Sequence, residues 1–168
     1  SQSNSDNLDW SINSGGTPSR DTGPSAASNG TYYLFVEASG SGTGFPNKQA
    51  ILTSPCFNLT NETSAAFSFD YHMYGASNMG TFLVEVRAND GSTCASLWTQ
   101  STNQGNSWKS ATIDLAAYVG KNIQLRFNRS TGTTCQYDIS IDKVELATNG
   151  SKNDFPIDKE EIILNLHP

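Results

Sequence analysis

Apolar and polar residues alternate with a period of two along much of the chain, most clearly at residues 67–74, which read Phe-Ser-Phe-Asp-Tyr-His-Met-Tyr. Successive side chains of a β-strand point to opposite faces, so this pattern predicts a half-buried strand. Gly75 ends the run, and after a short turn the alternation resumes at residues 81–88. We therefore predict that these two strands form a β-hairpin.

Similar short runs occur on both sides of this segment. They predict strands at residues 32–38, 50–54, 56–59, 96–100, 108–114, 122–128 and 137–146. A single helical turn is predicted at residues 115–120, where Gly120 ends it. Strands with one apolar face must bury that face against a second layer, so the pattern predicts an all-β, antiparallel β-sandwich.

Composition and charge agree with this fold and narrow the function. The 168 residues suffice for one domain, and charged residues make up only 15% of them. The net charge is −6 and the ten basic residues are scattered, which argues against a nucleic-acid partner. No stretch approaches the roughly 20 apolar residues that span a bilayer. The chain starts with polar residues, so we expect a mature piece without its signal peptide.

Several motifs carry a family resemblance. The segment Tyr71-His-Met-Tyr-Gly75, followed by Met79-Gly-Thr81, resembles the central signature of the MAM domain, named after meprin, the A5 protein and receptor tyrosine phosphatase mu. Other similar segments follow the family's order: Gly30-Thr-Tyr-Tyr-Leu-Phe-Val-Glu-Ala-Ser39, Ala50-Ile-Leu-Thr-Ser-Pro55, Trp98, Gln104-Gly-Asn-Ser-Trp108 and Asp138-Ile-Ser-Ile-Asp142. The resemblance implies a jelly-roll β-sandwich, which we place at residues 1–147. The chain departs from the family in two respects. Residues 23–28 lack the acidic residue that members often carry there, and the cysteines do not reproduce the pattern of the animal members.

Three cysteines are present, and two of them occupy similar positions. Cys94 and Cys135 each follow a Gly/Thr-containing loop and precede a predicted strand, so neighbouring strands would bring their sulfurs into bridging range. We predict a Cys94–Cys135 disulfide. Cys56 is then left as a small buried hydrophobic residue, although a Cys56–Cys94 pair is an open alternative.

Three acidic residues are candidate metal ligands. Glu37 ends an apolar strand, and Asp138 and Asp142 share one face of the last strand, where crowded carboxylates repel each other unless a cation joins them. Hard oxygen ligands suit Ca²⁺. The MAM resemblance implies a structural Ca²⁺ held by Glu37 and Asp142, with Asp9 or Asp138 as further ligands. The alternative is that these acids are exposed at strand ends.

The polar side of the central strands is a candidate carbohydrate-binding surface. If the strands are neighbours, one patch contains Asp70, His72, Tyr74, Glu85, Arg87, Gln124, Arg126 and Asn128. Such a mixture of aromatic rings, amides, guanidinium groups and carboxylates binds sugars, and arginine can also hold sulfate or uronate with two hydrogen bonds. The alternative is a solvated face. We expect Trp98 and Trp108 to pack in the core, and Tyr32 and Tyr74 to be exposed.

No catalytic motif accompanies this patch. The two histidines, His72 and His167, are isolated, and neither a nucleophile elbow nor a phosphate-binding loop occurs. We therefore predict a non-catalytic carbohydrate-binding module, a monomeric unit of a longer secreted bacterial protein, which tethers a linked enzyme or adhesin to extracellular polysaccharide. The alternatives are a protein–protein adhesion domain and a structural spacer.

The last part of the chain, residues 148–168, differs from the rest. Residues 149–154 read Asn-Gly-Ser-Lys-Asn-Asp, which is typical of a flexible linker. The final residues, 162–168, read Ile-Ile-Leu-Asn-Leu-His-Pro and resemble the start of the C-terminal sorting domains of bacterial type IX secretion. This resemblance implies secretion to the cell surface or beyond, whereas the alternative is an ordinary interdomain tail.

Overall fold

The computed structural model describes residues 1–39, 44–88, 91, 94–133 and 136–149, and the backbone of residues 151–155. Within these residues the chain forms ten strands and one 3-10 turn at Ala116–Tyr118. The strands are β1 (Ser11–Asn13), β2 (Tyr33–Val36), β3 (Gln49–Asn58), β4 (Ala65–Met73), β5 (Thr81–Ala88), β6 (Ala95–Ser101), β7 (Lys109–Asp114), β8 (Asn122–Ser130), β9 (Ile139–Thr148) and β10 (Ser151–Phe155). The predicted all-β, antiparallel sandwich is confirmed.

The strands are divided between two sheets. One has the order β1-β2-β9-β4-β7, with β10 also paired to β9, and the other has the order β3-β8-β5-β6. Strands β4 and β5 therefore lie in different sheets, and the predicted hairpin is wrong. Their connection is not a tight turn but crosses between the sheets and packs closely on other loops, since a Cβ on Gly80 would lie 2.0 Å from the carbonyl oxygen of Ser130.

Aromatic side chains from both sheets fill the space between them. The ring of Phe69 on β4 lies 5.1 Å from Phe127 and 6.2 Å from Phe82, both on the opposite sheet. Trp98 meets Phe69 edge-on at 5.3 Å, as expected for a core residue. Edge-to-face pairs of this kind add about 0.5–1.5 kcal/mol each to the free energy gained by burial. The alternation of β4 and β5 thus identified the core-facing residues correctly.

Both ends of the described chain pair with strand edges. The N-terminal residues run along the edge of β3, where Ser3 N donates to Ile51 O at 3.1 Å and Thr53 N donates to Ser1 O at 2.8 Å. At the other end, β10 pairs with β9 from Ser151 to Phe155. The linker predicted at residues 149–154 is therefore largely a strand, and residues 156–168 lie outside the described part.

Residues 14–32, which we call the strap, cross the outer side of the six-stranded sheet. Thr22 Oγ1 donates to Tyr74 O at 2.8 Å, and the indole of Trp108 donates to Ala26 O at 2.9 Å. Beneath the strap, Tyr33 is fully buried and lies edge-on to Trp108 at 5.8 Å. The strap therefore covers one outer side of the sandwich. We call the outer side of the other sheet, formed by outward side chains of β3, β5, β6 and β8, the open face.

Candidate binding face and cation site

The sandwich divides the predicted polar patch between its two outer sides. Asp70, His72 and Tyr74 belong to β4 or directly follow it, whereas the other five residues, Glu85, Arg87, Gln124, Arg126 and Asn128, belong to β5 and β8. Since β4 lies in one sheet and β5 and β8 lie in the other, the two groups face away from each other. The prediction of a single patch is wrong, because alternation assigns each residue to a face but not each strand to a sheet.

The β4 group is covered by the strap rather than exposed. Asp70 accepts hydrogen bonds from Ser28 Oγ at 2.5 Å and from Ser110 Oγ at 2.6 Å. His72 is 2% exposed, its Nε2 lies 3.2 Å from Asn106 Oδ1, and burial lowers its pKa. The imidazole is therefore neutral near pH 7. These contacts give Asp70 and His72 a structural role beneath the strap.

The predicted positions of three aromatic residues on this side of the sandwich also change. Trp108 does not pack between the sheets, but lies half-buried under the strap, with its ring 5.5 Å from that of His72. Tyr74 is half-buried on this side too, 6.4 Å from His72. Tyr32 is also half-buried, so neither tyrosine offers a fully exposed ring.

The β5 and β8 group forms a hydrogen-bonded network on the open face. Arg126 Nε donates to Glu85 Oε2 at 2.7 Å, and Asn128 Nδ2 donates to the same oxygen at 2.9 Å. Gln49 Nε2 on β3 donates in turn to Asn128 Oδ1 at 2.9 Å. The Glu85 and Arg126 side chains are 13% and 26% exposed, respectively. The network therefore fixes a row of polar groups across three strands, with Asn128 buried at 7% exposure and Arg126 partly accessible.

Sequence reasoning missed the contribution of β3 to this face. The register places Ile51 opposite Asn128, Asn128 opposite Leu83, and Thr53 opposite Arg126. Ile51 and Leu83 are half-buried and add apolar surface beside the network. To predict this contribution, the sequence would have had to reveal which strand pairs with β3. Even then, the bulge between Thr53 and Cys56 shifts the pairing of the residues that follow it.

Half-buried Glu37 and fully buried Asp138 form an acid pair just after β2 and just before β9. Asp138 accepts a hydrogen bond from Ala38 N at 3.0 Å, and Glu37 accepts one from Ser19 Oγ at 2.7 Å. Within the described residues, Glu37 Oε2 and Asp138 Oδ2 are buried without any partner. Burial raises the pKa of Asp138 to about 7, the nearby Ala38 N–H opposes this, and the charge of Glu37 adds to it.

Carboxylate oxygens that accept no hydrogen bond are ligands that a hard cation such as Ca²⁺ binds. Arg129 is fully buried nearby, but its described hydrogen bonds go to the carbonyl oxygens of Ser130 and Tyr137 and not to either acid. Glu37 and Asp138 thus offer two carboxylate oxygens without a hydrogen-bond donor, while the positive charge of Arg129 already acts on Asp138. No third His, Cys, Asp or Glu converges on a shared metal position in the described part of the chain, so neither Asp9 nor Asp142 joins this pair.

Asp142 instead forms a second acid pair, directly opposite Asp70. Its Oδ2 accepts a hydrogen bond from Asn29 N at 2.8 Å, and its Oδ1 accepts one from Lys143 N at 2.7 Å. Burial raises the pKa of Asp142, and the charge of Asp70 adds to this rise. All four oxygens of this pair have donors, three of them from the strap or the β9 backbone. This pair therefore needs no cation.

The structure tests the disulfide prediction for the described cysteines, Cys56 and Cys94. Cys56 and Cys94 are free, on strands or loops at opposite edges of the four-stranded sheet, so the alternative Cys56–Cys94 pair does not form. Cys56 is exposed rather than buried, because it lies outward on an edge strand. Because Cys94 is free, the predicted Cys94–Cys135 disulfide is wrong; Cys135 itself lies outside the described residues.

Within the described residues, these two sheets define the class of protein, an antiparallel β-sandwich domain. The cleaved adhesin domain K1 of Lys-gingipain from Porphyromonas gingivalis W83 shares the fold with a TM-score of 0.58 and 21% identity, over 89% of each chain. A structure of TmCBM61 in complex with β-1,4-galactotriose shares it with a TM-score of 0.54 and 14% identity, over 89% of this chain and 86% of that one. At these identities the likeness concerns the fold alone.

The chain belongs to the MAM domain family. The family described as MAM domain, meprin/A5/mu matches residues 1–151. MAM domain-containing glycosylphosphatidylinositol anchor protein 2 from Mus musculus is 32% identical over 92% of this chain, and protein 1 from Gallus gallus is 36% identical over 86% of it. The chain spans only 18% and 16% of the length of these two relatives. No helix in the described residues is both long and apolar enough to cross a membrane.

Proposed function

We propose that this MAM domain is a non-catalytic binding module that attaches the protein carrying it to extracellular polysaccharide through the open face. The observation that carries the proposal is the network from Gln49 through Asn128 and Glu85 to Arg126 on an uncovered sheet. Amide and guanidinium groups held in fixed positions can bridge neighbouring hydroxyls of a sugar ring with little loss of side-chain entropy. The fold shared with a galactotriose-bound module supports this reading.

The open face favours binding without turnover. Glycoside hydrolysis uses two carboxyl groups on either side of the scissile bond. Glu85 is the single carboxylate on the four strands of this sheet as described, and it is already bonded to Arg126 and Asn128. The two acid pairs described above lie on the other sheet, where Asp70, Asp138 and Asp142 are buried and Glu37 is half-buried. A sugar on this face would therefore be held but not cleaved.

We also propose that Glu37 and Asp138 hold a structural Ca²⁺. The ion would bind their two unpartnered oxygens, add to the positive charge that Arg129 already provides near Asp138, and join the end of β2 to the start of β9. These residues lie in the covered sheet, so the ion would stabilise the fold and would not contact a ligand on the open face.

The setting we propose is a secreted bacterial protein with a linked enzyme or adhesin. Support comes from the sequence of residues 162–168, which resembles the start of a type IX sorting domain. The curated relatives named above are animal proteins whose names include a glycosylphosphatidylinositol anchor, which supports an extracellular or cell-surface location in general. The bacterial origin rests on the tail sequence alone.

A protein-adhesion role is the second candidate. It is favoured by Ile51 and Leu83, whose half-buried side chains lie on either side of Asn128 and give the open face an apolar component. The described outward positions of the four strands carry no aromatic ring, although stacking rings are common in sugar sites. A protein partner would use the same face, so both roles predict sensitivity to the same substitutions.

Affinity electrophoresis of the 168-residue chain against a panel of neutral and acidic polysaccharides separates the two roles. Retardation that decreases in Asn128→Ala and Arg126→Ala supports the polysaccharide role. Arg20→Ala is the matched control, because this side chain is 95% exposed on the strap and its removal changes the net charge equally. Unretarded migration in every gel would refute the polysaccharide role and leave protein adhesion.

A further inference from the structure

The charges of the sandwich are distributed unequally between its two sheets. The strands β3, β5, β6 and β8 contain one acid, Glu85, and three arginines, Arg87, Arg126 and Arg129, a net charge of +2. Because the whole chain has a net charge of −6, the rest of it carries −8. Arg129 points inward and is buried, so the charges presented on the open face are those of Arg87, Arg126 and Glu85, a net charge of +1. This face is therefore locally cationic on an acidic molecule.

Arg126 is held in one orientation with part of its donor capacity unused. Its Nε donates to Glu85, whose accepting oxygen is fixed in turn by Asn128. In the described residues the two terminal nitrogens of Arg126 make no hydrogen bond, although the side chain is only 26% exposed. A guanidinium held in this way presents a planar fork that matches a carboxylate or a sulfate.

Arg87 lies within reach of the same ligand. It is exposed on β5 opposite Gln124, two residues along the strand from Glu85, which lies opposite Arg126. Arg87 and Arg126 are thus diagonal neighbours on one face, with backbones on the order of 7 Å apart. A chain of sugars crossing β5 and β8 would meet both cations, with Gln124 between them.

Resting on the proposed function, we infer that the polysaccharide is acidic and that Arg126 and Arg87 bind its carboxylate or sulfate groups. A neutral sugar would give the half-buried Arg126 fork only weak acceptors, whereas an anion satisfies it with charge-assisted hydrogen bonds that are roughly twice as strong. Glu85 offsets part of the charge of Arg126, so the exposed Arg87 supplies the net positive charge of the face, while the two terminal nitrogens of Arg126 supply the donors.

Matched polymers test the inference directly. Polygalacturonate is compared with its fully methyl-esterified form, and dextran sulfate with dextran, so that only the charge changes within each pair. We expect the charged member of at least one pair to bind at least tenfold more tightly than its neutral counterpart, in affinity electrophoresis and calorimetry. Preference for the carboxylated or the sulfated polymer identifies which anion is recognised.

Substitutions locate the site. Arg126→Gln and Arg87→Gln should each reduce affinity for the charged polymer by about tenfold, and Arg126→Lys should recover less than half of that loss because lysine lacks the planar fork. Arg20→Gln on the strap is the control and should change affinity less than twofold. Circular dichroism and the melting temperature verify that each variant is folded.

The outcomes distinguish this inference from the function on which it rests. Equal binding of the charged and neutral members of both pairs would overturn the inference and leave a neutral-sugar module. Charge-dependent binding that Arg20→Gln weakens as much as Arg126→Gln would also overturn it, because the open face would then not be the site. If no polymer binds, the polysaccharide function itself is refuted.

Discussion

The ion pair on the open face allows a quantitative prediction of stability. Replacing Glu85 by alanine leaves the Arg126 and Asn128 donors without their acceptor. A hydrogen bond to a charged group contributes about 1.5–3 kcal/mol when buried, and an exposed ion pair contributes about 0–1 kcal/mol. With side chains 13% and 26% exposed, the Glu85–Arg126 pair falls between these limits. We expect a coupling energy of about 1.5 kcal/mol.

A double-mutant cycle measures this coupling. The free energies of unfolding of the wild type, Glu85→Ala, Arg126→Ala and the double variant are obtained from urea denaturation followed by tryptophan fluorescence. The exposed Arg20–Asp21 pair, with its atoms 3.8 Å apart, provides a second cycle whose coupling should be indistinguishable from zero. A Glu85–Arg126 coupling as small as that of this control would refute the proposed network.

Three further predictions concern the covered side and the connection between the sheets. EDTA should lower the melting temperature by several degrees, and Glu37→Gln should abolish the difference; an unchanged melting temperature would contradict the Ca²⁺ site. Burial lowers the pKa of His72 below its ordinary value of 6.5. The neutral, buried imidazole therefore contributes fully to stability above pH 6.5, and this contribution decreases as the pH falls below 6.5. His72→Gln should therefore flatten the decrease in melting temperature between pH 7 and pH 5, and an unaltered pH profile would count against this. Gly80→Ala should destabilise the fold by at least about 2 kcal/mol in urea denaturation, because its φ is +76° and its Cβ would clash with Ser130; a neutral effect would show that the crossing connection is wrong.

The alternation of the sequence was sufficient to assign strand faces but not strand partners. Phe69 and Phe82 were correctly expected in the core, since a period of two defines which side of a strand is apolar. The pairing of β4 and β5 failed because their connection could equally form a hairpin or cross to the other sheet. That choice depends on contacts with the loop around Ser130, which is distant in sequence.

The candidate site was only partly predictable, because alternation assigns residues to a face but does not show which faces are covered. Glu85, Arg126 and Asn128 were expected on one face, and β5 and β8 are indeed neighbours. Asp70 and His72 were expected on that face because a polar residue on an amphipathic strand is assumed to meet water. Here it meets the strap, whose Ser and Gly residues give no hydrophobic signal that they cover a sheet.

The unequal distribution of charge has a kinetic consequence. At low salt, where the Debye length is about 30 Å at 0.01 M, a distant anionic partner experiences mainly the net charge of −6 and is repelled. Only at close range, and in one orientation, does it meet Arg87 and Arg126 on the open face, whose net charge together with Glu85 is +1. Added salt screens the distant repulsion before it weakens the contact itself. The association rate with an anionic partner should therefore rise with moderate salt, the opposite of ordinary electrostatic steering.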